Sequence, residues 1–537
     1  MQKLSFRIPL AGLIISLALS LGPAIAHAQE ALQLNQMKFG QLLMLVNNYY
    51  VDTVNIEKIT ADAIVKLLVE LDPHSTYISK EDVARMNEPL QGNFEGIGIS
   101  FNIFKDTLLV TAIVAGGPSE KVGLLAGDRI VEIDKKNVAG TGIKNSDVQD
   151  LLRGRRGTTV GLKVLRKPKT ELLDFTVVRD RIPIYSIDAS YMLDESTGYI
   201  KLNNFSATTM DEFHEAMNEL KAQDIKNLVL DLRRNTGGYL NTAVELANQF
   251  LKRDRMIVYT NGQNEQQREY KSTSAGVFMD GNLVVLVDEE SASASEIVSG
   301  AIQDWDRGLI IGRRTYGKGL VQRPFYLTDG SVVRLTTAHY YTPSGRCIQK
   351  PYDGDVTEYR QEYRNRNDEM FSVNNISMAD SLAYTTLVNG RTVFGGGGIV
   401  PDIFIPIDTS SHYQYVNRFR RNDIIYSYVL DYIDNDRQKL LEIYNDFKKF
   451  DKEFIVTDKM IDELVAMGEK EGIAKNEESL NFTRNEFKKE IKSLIARDLF
   501  SRNEFYKLYY QDDKVILNAL DVINNQSLFD SMLVSKD

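Results

Sequence analysis

The sequence predicts a multidomain chain of mixed α/β and β class. A helical amino-terminal region comes first, then a small β domain inserted before an α/β core, then a helical carboxyl-terminal module. Three observations predict this. Apolar residues recur at helical spacing as far as Gln91, and at strand spacing from Phe94 to about Arg181. From Tyr185 to Pro406 they fall into repeated strand–turn–helix units, the pattern of a mostly parallel sheet. After Asp408 the background becomes dense in Lys, Glu and Asp, with apolar residues again at helical spacing. A chain of 537 residues is long enough for several separate cores. The boundaries fall at 1–28, 29–91, 92–181, 182–408 and 409–537.

Residues 1–28 have the layout of a secretory signal peptide. Lys3 and Arg7 give a positive start, Ile8 to Leu21 is mostly apolar, and Ala26-His27-Ala28 offers a small-x-small cleavage site. The apolar stretch is short for a full membrane span. The mature chain is therefore expected outside the cytoplasm, in the periplasm or cell envelope. A net charge of −10 argues against wholesale nucleic-acid binding. The single cysteine, Cys347, forms no disulfide within the chain and has no catalytic surroundings. The five histidines are His27, His74, His214, His339 and His412. His214-Glu215 begins like a zinc-protease helix, but Asn218 stands where a second histidine is needed. No metal and no cofactor are expected.

In the amino-terminal region Met37, Leu42, Leu43, Leu45 and Val46 form one apolar helical set, and Ile64, Leu67, Leu68 and Leu71 another. Leu71-Asp72-Pro73-His74-Ser75 ends the second helix in a turn, and His74 reads as a structural residue of it. In the β domain, Gly116-Gly117-Pro118-Ser119-Glu120-Lys121-Val122-Gly123-Leu124 and then Gly127-Asp128-Arg129-Ile130 resemble a bacterial PDZ domain. Such domains add a peptide as an extra strand to a sheet edge and hold its terminal carboxylate on backbone amides. By that resemblance Gly96, Ile97, Gly98 and Ile99 form the carboxylate loop.

Two strand–turn–helix units organise the core. In the first, Leu228 to Arg233 is a buried strand that ends in Arg234-Asn235-Thr236-Gly237-Gly238. In the second, Leu283 to Val287 leads through Asp288, Glu289 and Glu290 into Ser291-Ala292-Ser293-Ala294-Ser295 and a helix carrying Ile297, Val298, Ala301, Ile302 and Trp305. A serine placed there sits at a helix amino end, where free N–H groups suit a developing oxyanion. Parallel crossovers gather such turns at the carboxyl ends of the strands, so Gly237 and Gly238 can approach Ser293 and lend N–H groups. A third run, Leu309-Ile310-Ile311, precedes Gly312-Arg313-Arg314-Thr315-Tyr316-Gly317-Lys318-Gly319. This nearly spells a nucleotide-binding loop, but Gly319 replaces the Ser or Thr that would hold Mg²⁺. The other reading is a serine nucleophile with Lys318 as its base. A lysine can do this when burial leaves it partly neutral.

These motifs, in this order, resemble the carboxyl-terminal processing proteases, also called tail-specific proteases. The resemblance runs over most of residues 30–406. It includes the Leu-Asp-Pro-His-Ser turn, the PDZ domain, Asp231-Leu232-Arg233 with Gly237-Gly238, Ser291 to Glu296, and Thr315 to Gln322. Tyr341 to Arg346 and Gly396 to Asp402 also fit it. It implies a serine endopeptidase in which the middle serine, Ser293, is the nucleophile, Lys318 the base, and Gln322 the residue that orients the lysine. Gly237 or Gly238, with Ala294, would supply the oxyanion N–H groups. Asp304 matches an aspartate implicated in some members and reads here as structural. Thr236 stands where the family usually has proline, which bears only on the rigidity of the turn. The implied partners are protein substrates with free carboxyl-terminal tails and an adaptor protein, with a homodimer as the assembly. A non-catalytic PDZ scaffold predicts tail binding without turnover. A hydrolase of non-protein esters predicts cleavage that ignores the terminal carboxylate.

Overall fold

The computed structural model describes residues 11–534 apart from 105, 168, 377 and 408–411. Side chains are described from residue 29 onward, save 360, 363–365, 367 and 435. The segment read as a signal peptide thus lies outside the described residues over 1–10, and the helix Ala11–Tyr49 begins within it. Among the described residues no helix is long and apolar enough to cross a membrane.

The helix Ile56–Val69 starts on Asn55, whose side chain accepts from the Lys58 N–H. Beyond it Asp72 Oδ1 accepts the N–H groups of His74 and Ser75, both at 2.7 Å. That Asx turn delivers the strand Thr76–Ile78 antiparallel to the long strand Val332–Tyr341. The amino-terminal region is therefore stitched into a sheet of the core.

The β domain is an antiparallel sheet in the order Ile99–Phe104, Thr107–Ile113, Arg129–Ile133, Thr159–Leu165, Leu172–Val178. The helix Asn145–Leu152 covers it, burying Val148 and Leu152 against Ile130, Val160 and Val164. Its entry strand Asn93–Gly96 pairs antiparallel with its exit strand Asp180–Pro183.

The core sheet has six strands in the order Ile187–Met192, Thr197–Leu202, Asn227–Asp231, Asn282–Val287, Leu309–Gly312, Ile403–Phe404. Only the first pair is antiparallel. Leu228 to Leu230 and Leu283 to Val287 are all fully buried, as unbroken apolar runs require when both sheet faces are covered. One face carries the helices Thr209–Lys221, Leu240–Asn248 and Ala294–Asp304, through Phe213, Met217, Leu246, Ile297 and Ile302. The other face is covered from far along the chain. Ile516, Ala519 and Ile523 of the helix Lys514–Ile523, with Phe529 of Gln526–Met532, pack on Tyr199, Val229, Val284, Leu286 and Ile311.

The region after the core thus packs in two places. Tyr413–Arg421, Ile424–Ile443, Phe447–Glu453, Asp458–Lys470 and Glu477–Leu499 share a core of their own around Phe419, Phe450, Ile461 and Phe487. The last two helices belong instead to the core sheet. A second, five-stranded sheet joins Thr76–Ile78, Val332–Tyr341, Met256–Gly262, Glu265–Lys271 and Leu320–Tyr326. Its strand Leu320–Tyr326 begins just after Lys318.

Candidate active site

Three turns meet at the carboxyl ends of the core strands, and burial sorts the serines among them. Ser291 and Ser295 are fully buried. Their hydroxyls donate to the carbonyls of Leu232 and Asn235, each at 2.8 Å. Ser293 is only half-buried, and its hydroxyl donates to no group among the described residues. Its backbone sits at φ 56°, ψ −111°, a conformation that a non-glycine residue rarely holds. The middle serine is thus presented outward on a strained turn at the amino end of the helix Ala294–Asp304.

The glycine turn lies against it. A Cβ on Gly237 would stand 2.9 Å from Ser293 Cβ and 3.0 Å from the Ala294 nitrogen, so only glycine lets the two turns approach. The Asn235 carbonyl accepts the Ala292 N–H at 3.0 Å, which fixes their register. The Gly237 N–H donates to Asn235 Oδ1 at 2.9 Å. The N–H groups of Gly238 and Ala294 carry no hydrogen bond among the described residues.

The lysine turn is held by a residue that the sequence reading left unassigned. Glu296 is fully buried and its carboxylate joins both turns. Oε1 accepts the Thr315 hydroxyl and, at 2.7 Å, the Gly317 N–H. Oε2 accepts the N–H groups of Ser293 at 2.8 Å and Lys318 at 2.9 Å. Burial pushes its carboxyl upward, and these donors oppose the shift. Tyr340 is a second bridge, its hydroxyl shared between the carbonyls of Ser293 at 3.0 Å and Lys318 at 2.7 Å. The near-nucleotide loop is explained by the same contacts. The amides of Gly317 and Lys318 face a carboxylate, and a strand follows them where a nucleotide loop needs a helix.

The Lys318 ammonium donates to Gln322 Oε1 at 2.9 Å, and Gln322 Nε2 donates to the His74 carbonyl at 2.7 Å. The lysine's bond is to Gln322 rather than to Ser293. Burial pulls the Lys318 pKa down, the like charge of Arg334 adds to that, and Asp72 and Glu296 oppose it. Replacing Arg334 by Gln should therefore raise the lysine's pKa and leave less neutral amine at a given pH. The acidic limb of kcat/KM is expected to move to higher pH in that variant, read from a pH–rate profile. The His74 ring bonds the Tyr359 hydroxyl at 2.8 Å, and burial, with Lys318 nearby, lowers its pKa to about 4. It is the backbone of this turn, through its carbonyl, that reaches the site.

Asp304 lies apart from this constellation. It is fully buried, Oδ1 accepts from Arg346 at 2.6 Å, and Oδ2 accepts the Ser344 N–H at 2.8 Å. It anchors the Thr342–Arg346 turn. Asp231 accepts from Tyr199 and Arg233, and Arg233 reaches on to Asp513 at 2.9 Å. Burial raises the Cys347 pKa, which keeps the thiol protonated. Among the described residues no group of three or more His, Cys, Asp or Glu side chains could hold a metal ion.

In the β domain, Gly96, Ile97, Gly98 and Ile99 form the bend between the entry strand and the sheet's edge strand. With Phe101, Leu152 and others they line a groove of about 290 Å³ between that strand and the helix Asn145–Leu152. The Ile97 and Gly98 carbonyls are taken by Ser119 and Val114, which pins the bend.

Residues 196–357 match peptidase family S41, residues 109–166 match the PDZ domain, and residues 415–501 match a family of unknown function. A carboxy-terminal-processing protease of Bartonella bacilliformis is 35% identical over 317 residues, 58% of this chain and 72% of the relative. The chain belongs to the carboxy-terminal-processing protease family. A second carboxy-terminal processing protease, from Bacillus subtilis, is 32% identical over 331 residues, covering 61% of this chain and 68% of that one. Among solved structures, a photosystem II D1 C-terminal processing protease is 30% identical, with a TM-score of 0.34 over 58% of this chain and 90% of its own. As a member of this family the chain is a serine-type peptidase with a PDZ domain ahead of its S41 core. The helical module 415–501 follows that core.

Proposed function

We propose that this family member is an exported endopeptidase. It captures the free carboxyl-terminal tail of a protein substrate in its PDZ groove and cuts a peptide bond with Ser293 and Lys318. The observation that carries the reading is the outward Ser293, whose hydroxyl donates to no group among the described residues, tied through one carboxylate to the turn of a lysine whose pKa is lowered. The neutral Lys318 amine takes the Ser293 proton as Oγ attacks the scissile carbonyl carbon. The N–H groups of Gly238 and Ala294 receive the oxyanion, since that of Gly237 is already engaged. As the tetrahedral intermediate collapses, the C–N bond breaks and the Lys318 ammonium protonates the leaving amine. Water, deprotonated by Lys318, then attacks the acyl ester and frees Ser293. Gln322 holds the lysine head group through this cycle, anchored by the His74 carbonyl.

Export rests on the layout of residues 1–28. The test of tail recognition is cleavage of one unfolded protein presented with a free or an amidated carboxyl terminus. The free form should be cut at least about tenfold faster, because an amide cannot accept the charge-assisted bonds a carboxylate does. Equal rates would remove the tail from the recognition step. Binding without any turnover would favour a scaffold.

A further inference from the structure

The PDZ edge strand borders a second cavity. The helical module docks on the β domain through Arg129 and Asp434, 2.9 Å apart and mostly buried, and through Arg437, which donates to the Ala126 carbonyl at 3.2 Å. Beside this contact lies a cavity of about 410 Å³. Ser100, Asn102 and Thr111 line it from the β domain; the module contributes the cations Arg420 and Arg497 and the carboxylates Asp423 and Glu490. It shares Ser100 and Phe101 with the peptide groove, so one edge strand borders both spaces.

Strand geometry decides what reaches it. Ile99, Phe101 and Ile103 pack against the domain core, so Ser100 and Asn102 face the other way. The register with Thr107–Ile113 shifts between Ser100 and Phe101 and passes over Thr111, a bulge that turns this side chain toward the cavity. A tail added to the free edge of Ile99–Phe104 repeats the alternation. With its carboxylate at Gly96–Ile99, its terminal residue and the second one upstream point into the apolar groove. The first and third upstream point toward the cavity.

The cavity's donors then set the preference. Arg420 is committed to Glu486 at 2.6 Å and Glu490 at 2.8 Å. Arg497 approaches Asp498 only to 3.8 Å, and its Nη2 is buried with no hydrogen-bond partner among the described residues. We propose that this cavity, built jointly by the PDZ edge strand and the helical module, is a subsite for the first and third residues upstream of the substrate's terminus. It selects an acidic side chain there, which accepts from Arg497. The proposal rests on tail capture in the PDZ groove.

The experiment uses the full chain with Ser293→Ala, so that peptides bind without being cut. Fluorescent tail peptides carrying Glu, Gln or Lys at the first, second or third upstream position are titrated by anisotropy. Glu should bind about tenfold more tightly than Lys at the first and third positions, and show no such gain at the second. Arg497→Gln should erase the difference while leaving the Gln peptides' affinity unchanged. Asn102→Glu is an exposed change that adds a competing carboxylate beside the cavity without touching the module's core, and it should weaken the Glu peptides selectively. If all peptides bind alike whatever stands at the first and third positions, the subsite is refuted while tail capture stands. If no peptide binds, both readings fall.

Discussion

Ser293→Ala and Lys318→Ala, each alone, are expected to lower kcat for peptide hydrolysis by about 10⁴-fold or more, while tail peptides still bind the full chain. The expectation for the serine follows from the fate of its neighbours. Ser291 and Ser295 are buried with their hydroxyls committed to backbone carbonyls, so neither can replace it. For the lysine it follows from the surroundings, since among the described residues no histidine bonds the Ser293 hydroxyl and His74 is turned to Tyr359. The double variant should be no slower than the worse single one if, as proposed, the two groups act in one proton transfer. Cleavage by Lys318→Ala at more than about a tenth of the wild-type rate would show that another base serves Ser293.

Glu296→Gln should cost about two orders of magnitude in kcat/KM with little change in tail affinity. The carboxylate accepts from donors on every side, two from the turn of Thr315 and Gly317 and two from the N–H groups of Ser293 and Lys318. A glutamine amide turns one of those oxygens into a donor and sets it against two N–H or O–H groups. Charge-assisted bonds of this kind contribute ~1.5–3 kcal/mol each, and leaving their partners unsatisfied costs more than the bonds themselves contributed. The loss should appear in kcat rather than KM, because the glutamate holds the turns of Ser293 and Lys318, the proposed nucleophile and base, to each other. A Glu296→Gln enzyme that keeps wild-type kcat would mean that the two turns hold their spacing without it.

The broad architecture was legible because its signals are local. Apolar runs marked the parallel strands, alternation marked the β domain, and the glycine pair marked a turn that must pass close to another. Identifying Ser293 within its cluster needed burial, which three identical residues at alternating positions do not reveal in sequence; only the family resemblance pointed to the middle one. Glu296 did leave a trace. Ser293-Ala294-Ser295-Glu296 has the spacing of a capping box, in which the glutamate reaches back to the first N–H. Reading it so would have found half of the clamp. The other half, on Gly317 and Lys318, depends on a neighbouring strand. Tyr340 and the His74 carbonyl were hidden for the same reason, since both arrive from segments distant along the chain. The late helices on the core sheet were likewise invisible, because an amphipathic helix shows that it has a buried face and not what covers it.

That last arrangement bears on biosynthesis. The strands of the catalytic sheet and its first helical layer emerge early, while Ile516, Ala519, Ile523 and Phe529 emerge last. Until then Val229, Val284 and Leu286 face water, and Arg233 lacks Asp513. The protease therefore cannot reach its finished form while the chain is still growing. A nascent chain, or one cut short before residue 514, carries Ser293 and Lys318 on a sheet that still has one face uncovered.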